Sequence, residues 1–265
     1  MRTASALKIS TKHTDTFVDS DTAFQGSHFI EPRTVEGVYR HHPERELTSA
    51  DTAILNSIRS HVLGSDYPCV MARSVFNRDA FRVATYGELG APGNAAQLAR
   101  DVYEFSSEFA APVTGAVSFV ACFDGPAPND EAGFETAMWA QLQSLHEIDK
   151  TRFDWNDEVR SDPNSPDFSF SVGGRAFFLI GMHPAASRIA RRTALPMIVF
   201  NLHEQFVELK AHGKFNKVRD TIQLRDKQLQ GSVNPMSADY GERSEAAQYS
   251  GRAVGREWAC PFHPG

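Results

Sequence analysis

The sequence has no long apolar run and no excess of positive charge. No segment approaches the roughly 18 to 20 apolar residues of a membrane-spanning helix, and the first residues, MRTASALKISTKHTDTF, lack the apolar stretch of a secretory signal. The 265 residues include 27 Lys and Arg against 33 Asp and Glu, a net charge of −6, so no overall positive field attracts nucleic acid or anionic lipid. We therefore expect a cytoplasmic protein that binds neither nucleic acid nor a membrane.

Cysteines and nucleotide-binding motifs are also scarce. The three cysteines, Cys69, Cys122 and Cys260, are far apart and form no Cys-x-x-Cys pair, so we expect free thiols and no structural zinc site. Neither G-x-G-x-x-G nor G-x-x-x-x-G-K-[ST] occurs in the required setting. The sequence therefore gives no support for bound NAD, flavin or ATP, and a redox function would need electrons from outside.

The composition is that of an ordinary globular protein, with 41% hydrophobic residues and 19 Phe. Residues 1–50 are polar and show no sustained period, which predicts a polar N-terminal arm. Residues 51–265 are few enough for one domain. Helical spacing is found in TAILNSIRSHVLG, AAQLARDVYEFSSEF, GFETAMWAQLQSLHEID and QFVELKAHGKFNKVRDTIQLRDKQLQG, the last broken near Gly213.

Short apolar and alternating segments predict the strands. YPCVMARSVF and AFRVATY are interpreted as one hairpin, DFSFSVGGRAFFLIGM as a second hairpin that turns at Gly173-Gly174, and TGAVSFVACF and LPMIVFN as single buried strands. The last 34 residues are rich in turn formers. The predicted fold is an α+β domain with a mixed or antiparallel sheet, flanking helices and a long C-terminal loop region.

The segment FFLIGMHPAASRIARR ends an apolar run on a histidine and continues with arginines. Pro184 disfavours a helical His183, so the strand should end at His183 and a helix should begin directly after it. On such a helix Arg188 and Arg192 share a face, with Arg191 beside them. A heme would suit this pattern, since iron takes an axial imidazole and the two propionates need cations. The alternative is a buried core histidine followed by a solvated basic face.

Two other positions carry candidate iron ligands. His203, in FNLHEQF, comes at the end of an apolar run. It could be a ligand, an acid or base, or only a histidine at the end of a strand. Cys260 in WACPFHP could ligate heme as a thiolate, although the Phe and Gly pattern of a P450 cysteine is absent. A buried structural thiol is the alternative for Cys260, and for Cys69 and Cys122 as well.

Several of these segments together resemble the YqcI/YcgG family over roughly residues 66–262. The matching segments are YPCVMARSVF, GMHPAASRIARR, FNLHEQFVELKAHGKF, IQLRDKQLQGSVNP, SEAAQYSGR and WACPF. The branch that they resemble holds heme-dependent N-hydroxylases of guanidine groups, which act in guanitoxin and D-cycloserine biosynthesis. The resemblance implies a heme b monooxygenase that uses O2 and an external electron donor to oxidise an N–H bond of a small guanidine or amine.

The resemblance also implies roles for particular residues. His183 would be the proximal iron ligand, with Cys260 and His203 as rivals. Arg188 and Arg192 would hold the heme propionates.

A guanidinium substrate would need a carboxylate partner, because burying that cation alone costs several kcal/mol. Glu245 and Glu204 are the candidates for that partner and for the proton acceptor, and Tyr249 and Arg252 could bind the carboxylate of an amino-acid substrate. Ion pairs that only anchor loops are the alternative for each. The competing functions are a non-enzymatic heme or gas sensor and a heme-free domain that binds small anions. A homodimer is also expected, since enzymes of this size are often homo-oligomers.

Overall fold

The structure, a computed structural model, describes residues 29–32, 39–41, 47–109, 115–237 and 243–265. One open sheet contains seven strands of this part of the chain, in the spatial order β2-β1-β3-β4-β7-β6-β5. Strands β3 and β4 run parallel, and the other neighbouring pairs run antiparallel. The strands are β1 (Ile30–Pro32), β2 (Tyr39–His41), β3 (Phe81–Tyr86), β4 (Ser118–Phe123), β5 (Phe170–Val172), β6 (Arg175–Met182) and β7 (Met197–Leu202).

Helices cover both faces of the sheet. The helices are α1 (Ser49–Leu63), α2 (Val70–Asn77), α3 (Ala95–Glu108), α4 (Glu131–Asp149), α5 (Glu204–Ala211), α6 (Phe215–Gln230) and α7 (Ala246–Tyr249), with short 3-10 turns at Pro92–Asn94 and Ile189–Arg191. Helices α3 and α4 pack on one face over an aromatic core that includes Phe119, Phe177 and Phe200. Helices α1 and α2 pack on the other face against Val120 and Met197. The predicted α+β fold is confirmed.

The helices predicted from apolar periodicity correspond to α1, α3 and α4, and the predicted break near Gly213 separates α5 from α6. Helix α1 begins at a capping box, in which the Thr48 side chain accepts from the Asp51 N–H and the Asp51 carboxylate accepts from the Thr48 N–H. The hairpin at Gly173-Gly174 is confirmed as well. Both glycines have positive φ, 62° and 72°, as a tight turn between β5 and β6 requires.

Two predictions of local structure are wrong. Residues 70–77 form helix α2 and not the first strand of a hairpin, because a short apolar run fits either element and here Val75 and Phe76 are buried on one side of a helix. No helix begins directly after His183, at Pro184. The chain turns back instead, so that the His183 N–H donates to the Arg191 carbonyl, and the three arginines share no helix face.

The predicted N-terminal arm falls mostly on residues outside the described ones. Within the described part, Phe29 and Ile30 are buried, and Ile30 pairs with Val83 of β3. The C-terminal region is a long loop, as expected, apart from the short helix α7, and Phe262 near its end is buried in the aromatic core. None of the described helices is both long enough and apolar enough to cross a membrane.

Candidate functional site

A cavity of about 270 Å³ lies between the sheet and helices α1, α2 and α6. Its floor is apolar because alternate residues of the central strands point into it, namely Val120 of β4, Ile180 and Met182 of β6, and Met197 and Val199 of β7. The volume lies just below the roughly 300 to 1,000 Å³ of pockets that bind drug-sized molecules. The cavity therefore has the size of a small-ligand site.

One wall of the cavity carries a thiol, an imidazole and a phenol. Cys69 is the N-cap of α2, and its sulfur accepts the Ala72 N–H at 3.4 Å. Burial raises the pKa of the thiol, and the backbone N–H groups of α2 oppose that rise. His61, in the last turn of α1, donates from Nε2 to the Ala190 carbonyl at 3.1 Å, and its ring meets the Tyr67 ring edge-on. All three side chains line the cavity.

The three arginines predicted to act together do three different things. Arg188 forms a buried ion pair with Asp226 of α6 and donates to the Ser232 carbonyl at 2.7 Å. Arg191 lines the cavity and donates from Nη1 to two backbone carbonyls. Arg192 is exposed and donates to the Ala186 carbonyl. The predicted pair for the propionates, Arg188 and Arg192, is therefore not assembled into one site.

His183 lies outside the cavity. Its side chain stacks on Phe134 of α4, with 4.2 Å between ring centroids and 13° between the ring planes. Burial lowers the pKa of the imidazole, so it is neutral at pH 7, and its Nδ1 has no hydrogen-bond partner within the described part of the chain. His183 therefore has an unpaired nitrogen. Arg188 and Arg192, the cations predicted to hold the heme propionates, contact other groups of the protein. The residues around His183 do not fit the predicted heme centre.

A second polar cluster joins α7 to the end of β7. Ser169 Oγ lies 2.6 Å from Glu245 Oε2 and 2.9 Å from His203 Nδ1, and the Tyr249 hydroxyl lies 3.1 Å from the same Glu245 oxygen. Burial raises the pKa of Glu245 to about 7 and lowers that of His203 to about 4. If the Ser169 hydroxyl donates to the carboxylate, it must accept from His203 Nδ1–H. The cluster is therefore a hydrogen-bonded chain from an imidazole to a carboxyl group that titrates near neutral pH.

Residues 58–263, which include the cavity wall at His61 and Cys69 and the Glu245 cluster, match the family described as YqcI/YcgG family. The chain belongs to the YqcI/YcgG family. It is 24% identical over 219 residues to a protein of Bacillus subtilis (strain 168) named "Uncharacterized protein YcgG", an alignment that covers 77% of this chain and 84% of that protein. No solved structure matches the chain.

The other residues predicted for the substrate in this YqcI/YcgG protein already have protein partners. Arg175 donates to both oxygens of Glu204, at 3.1 and 2.7 Å. Arg252 donates from Nε to Glu135 at 2.9 Å. Tyr249 is fully buried, and its hydroxyl also donates towards the Phe177 carbonyl. Each of these contacts holds a loop or a helix in place.

Cys260, the rival iron ligand, packs against the aromatic core, and burial raises its thiol pKa to about 12. The sequence interpretation missed the Cys69 and His61 wall. The sequence did contain a signal for this wall. His61 and Cys69 lie on either side of Gly64, the residue at which α1 ends before the chain reaches α2.

Proposed function

We propose that this YqcI/YcgG protein is a heme-dependent N-hydroxylase whose cofactor binds in the cavity and not beside His183. The observation that carries the proposal is a mostly apolar cavity with a thiol and an imidazole on one wall. Both are side-chain types that ligate heme iron. The resemblance of the sequence to heme-dependent guanidine N-hydroxylases supports the same cofactor.

Cys69 is the candidate ligand that we favour. Burial raises the pKa of this thiol, but its sulfur lies at the N-terminus of α2, where backbone N–H groups oppose that rise, and a bound cation would lower the pKa. His61 already uses Nε2 to hold the Ala190 carbonyl. When bound, the heme would supply O2 activation with two electrons from an external donor.

The chain also offers a proton acceptor for N–H oxidation. Glu245 has a pKa near 7, so it can take up a proton at neutral pH, and Ser169 links it to His203. Gln248, three residues after Glu245, lines the cavity. We propose that Glu245 receives the proton that the guanidine or amine nitrogen loses.

The proposed reaction is tested by turnover. The heme-reconstituted protein is incubated with a reductant, O2 and arginine or arginine analogues, and the products are analysed by mass spectrometry. The proposal predicts a product that has gained one oxygen atom on nitrogen, and it predicts loss of that product in Glu245→Gln. Full turnover in Glu245→Gln would remove this residue from the reaction, and the absence of any oxygenated product across the series would contradict the proposed activity.

The volume of the cavity favours a second candidate function. About 270 Å³ suits a molecule smaller than a porphyrin, so a heme would require the helices that cover the cavity to move outward. A heme-free domain that binds a small molecule needs no such movement. The two candidates differ in one observable, because only the first gives a Soret band.

All three cysteines are free thiols in the structure. Free thiols suit the reducing cytoplasm that we propose as the location of the protein.

A further inference from the structure

Arg191 is a half-buried cation that forms no ion pair with a carboxylate in the described part of the chain. The two carbonyl oxygens that it binds, of Gly181 and Tyr249, lie 3.1 and 2.9 Å from Nη1 and are neutral. Arg188, three residues earlier, differs because Asp226 neutralises it. Burial lowers the pKa of Arg191 to about 10, so the group still carries its charge at pH 7. Asp226 and Glu131 are close enough to favour the charged form of Arg191, but neither forms an ion pair with it, which leaves that place for the carboxylate of a ligand.

The orientation of Arg191 leaves one edge of the guanidinium for a ligand. Nη1 is fixed by the two carbonyls, whereas Nε and Nη2 donate to no residue that the structure describes. Nε and Nη2 together form the edge that binds the two oxygens of a carboxylate side by side. Arg191 lines the cavity, and this edge is the part of its guanidinium that no described residue occupies.

The backbone at Gly251 is shaped around this side chain. Gly251 has a φ of +84°, and a Cβ at this position would lie 2.6 Å from Arg191 Cδ and 3.1 Å from Nε. Any other residue would therefore displace the guanidinium. Arg191 is held on one side by two carbonyls and on the other by a residue without a side chain, which is how a binding residue is kept in one orientation.

Tyr67 supplies a second donor on the same wall. Its ring packs edge-on against His61, and its hydroxyl has no hydrogen-bond partner among the described residues. Burial raises the pKa of Tyr67 well above the usual value, and the nearby Arg191 charge opposes that rise. The hydroxyl therefore stays protonated at neutral pH and can donate to the same anion as Arg191.

We infer that Arg191 and Tyr67 form a binding site for a carboxylate group of the molecule that occupies the cavity. One guanidinium edge and one hydroxyl match a singly charged group with two oxygens, whereas a phosphate dianion would need a second free cation. The inference does not depend on heme. The carboxylate can belong to an amino-acid or organic-acid ligand, or it can be a propionate of a bound heme.

Two pairs of probes separate these sources. L-Arginine is compared with L-argininamide, and hemin with its dimethyl ester, so that each pair differs in its carboxylates. Dissociation constants are measured for the full-length wild type, Arg191→Gln and Arg192→Gln. Arg192 is the matched control, since it is the next residue, its loss changes the net charge equally, and it lies outside the cavity.

We expect at least one acid to bind the wild type about tenfold or more tightly than its amide or ester, because a charge-assisted bidentate bond contributes roughly that factor. Arg191→Gln should remove this preference, Arg192→Gln should retain it, and Tyr67→Phe should reduce it by a smaller factor. Preference only in the arginine pair identifies a ligand carboxylate, and preference only in the hemin pair identifies a propionate.

The inference is wrong if neither pair shows a preference in the wild type, or if the preference survives in Arg191→Gln. If Arg191→Gln does not fold, Arg191→Lys is measured in its place, because lysine keeps the charge but cannot form the bidentate contact. A Soret band without any carboxylate preference would overturn this site and leave the proposed function standing. A preference in the arginine pair without a Soret band would support this site and contradict the proposed heme-dependent function.

Discussion

Met182 and His183 are adjacent in the sequence, and their side chains lie on opposite faces of the sheet. Met182 points into the cavity, whereas His183 stacks on Phe134 of α4. Strand geometry explains the difference, because successive residues of an extended chain alternate between faces. The histidine that the sequence most strongly suggested as an iron ligand is therefore on the face of the sheet opposite the cavity.

This placement predicts that His183 is a packing residue. In His183→Phe the ring stack on Phe134 is kept and the unpaired Nδ1 is removed, so the free energy of unfolding should be unchanged or higher. Chemical denaturation of the variant and the wild type measures this. His183→Ala should be destabilised by about 2 to 4 kcal/mol, because a buried ring is replaced by a space. A His183→Phe variant that is as unstable as His183→Ala would show that the imidazole nitrogens are needed.

The Glu245 carboxyl group predicts a pH dependence of stability. Burial raises its pKa from 4.5 to about 7, so the folded state binds the proton more tightly than the unfolded state, and stability is lost as pH rises through this range. His203 has the opposite effect below about pH 6.5, because its pKa is lowered to about 4. The wild type and Glu245→Gln should therefore be compared at each pH.

Unfolding free energies should be measured between about pH 5 and 8. As pH rises, the stability of Glu245→Gln relative to the wild type should increase, by a few kcal/mol at most. A difference between the two proteins that stays constant with pH would show that Glu245 does not titrate in this range.

The Arg188–Asp226 pair predicts a large effect from removing one partner. Asp226→Ala leaves a buried guanidinium unpaired and should lower the free energy of unfolding by about 3 to 5 kcal/mol. The exposed pair Arg219–Asp220 is the control, and Asp220→Ala should change stability by less than about 1 kcal/mol. Equal effects of the two variants would contradict the assignment of Arg188 to a structural pair.

The close approach of Gly251 to Arg191 allows a separate test of the Arg191 site. Gly251→Ala places a Cβ 2.6 Å from Arg191 Cδ in a backbone conformation with positive φ. Gly213→Ala has a similar φ of +65° but meets no atom within 4 Å, so it shows the backbone strain alone, about 1 kcal/mol. Thermal unfolding should show Gly251→Ala as the less stable of the two. If both variants lose the same stability, Gly251 is not needed to make room for Arg191.

Local patterns in the sequence predicted much of the fold. Helices α1, α3 and α4 are long enough for the apolar period to repeat, and the Gly173-Gly174 turn has a characteristic composition. Helix α2 was missed because eight residues with buried Val75 and Phe76 also fit a strand. The turn after Pro184 was missed because a proline suits the first turn of a helix as well as a loop.

The site was much harder to predict, because it depends on contacts between distant residues. The sequence could not distinguish Arg188 from Arg191, since the partner that neutralises Arg188 lies in α6, 38 residues away. The cavity itself is formed by β4, β6, β7 and helices from separate parts of the chain. The predicted role of Glu245 stays a prediction, whereas Glu204 and Arg252 form ion pairs with Arg175 and Glu135.

The measurement that tests the central claim most directly is the absorption spectrum of the hemin-reconstituted protein, ferric and then ferrous with CO. The wild type is compared with Cys69→Ala, and with His183→Ala and Cys260→Ala as controls outside the cavity. A heme in the cavity with a Cys69 ligand predicts a Soret band that is lost or shifted in Cys69→Ala and kept in both controls. A band that is unchanged in Cys69→Ala and lost in His183→Ala, or no band in the wild type, would contradict it.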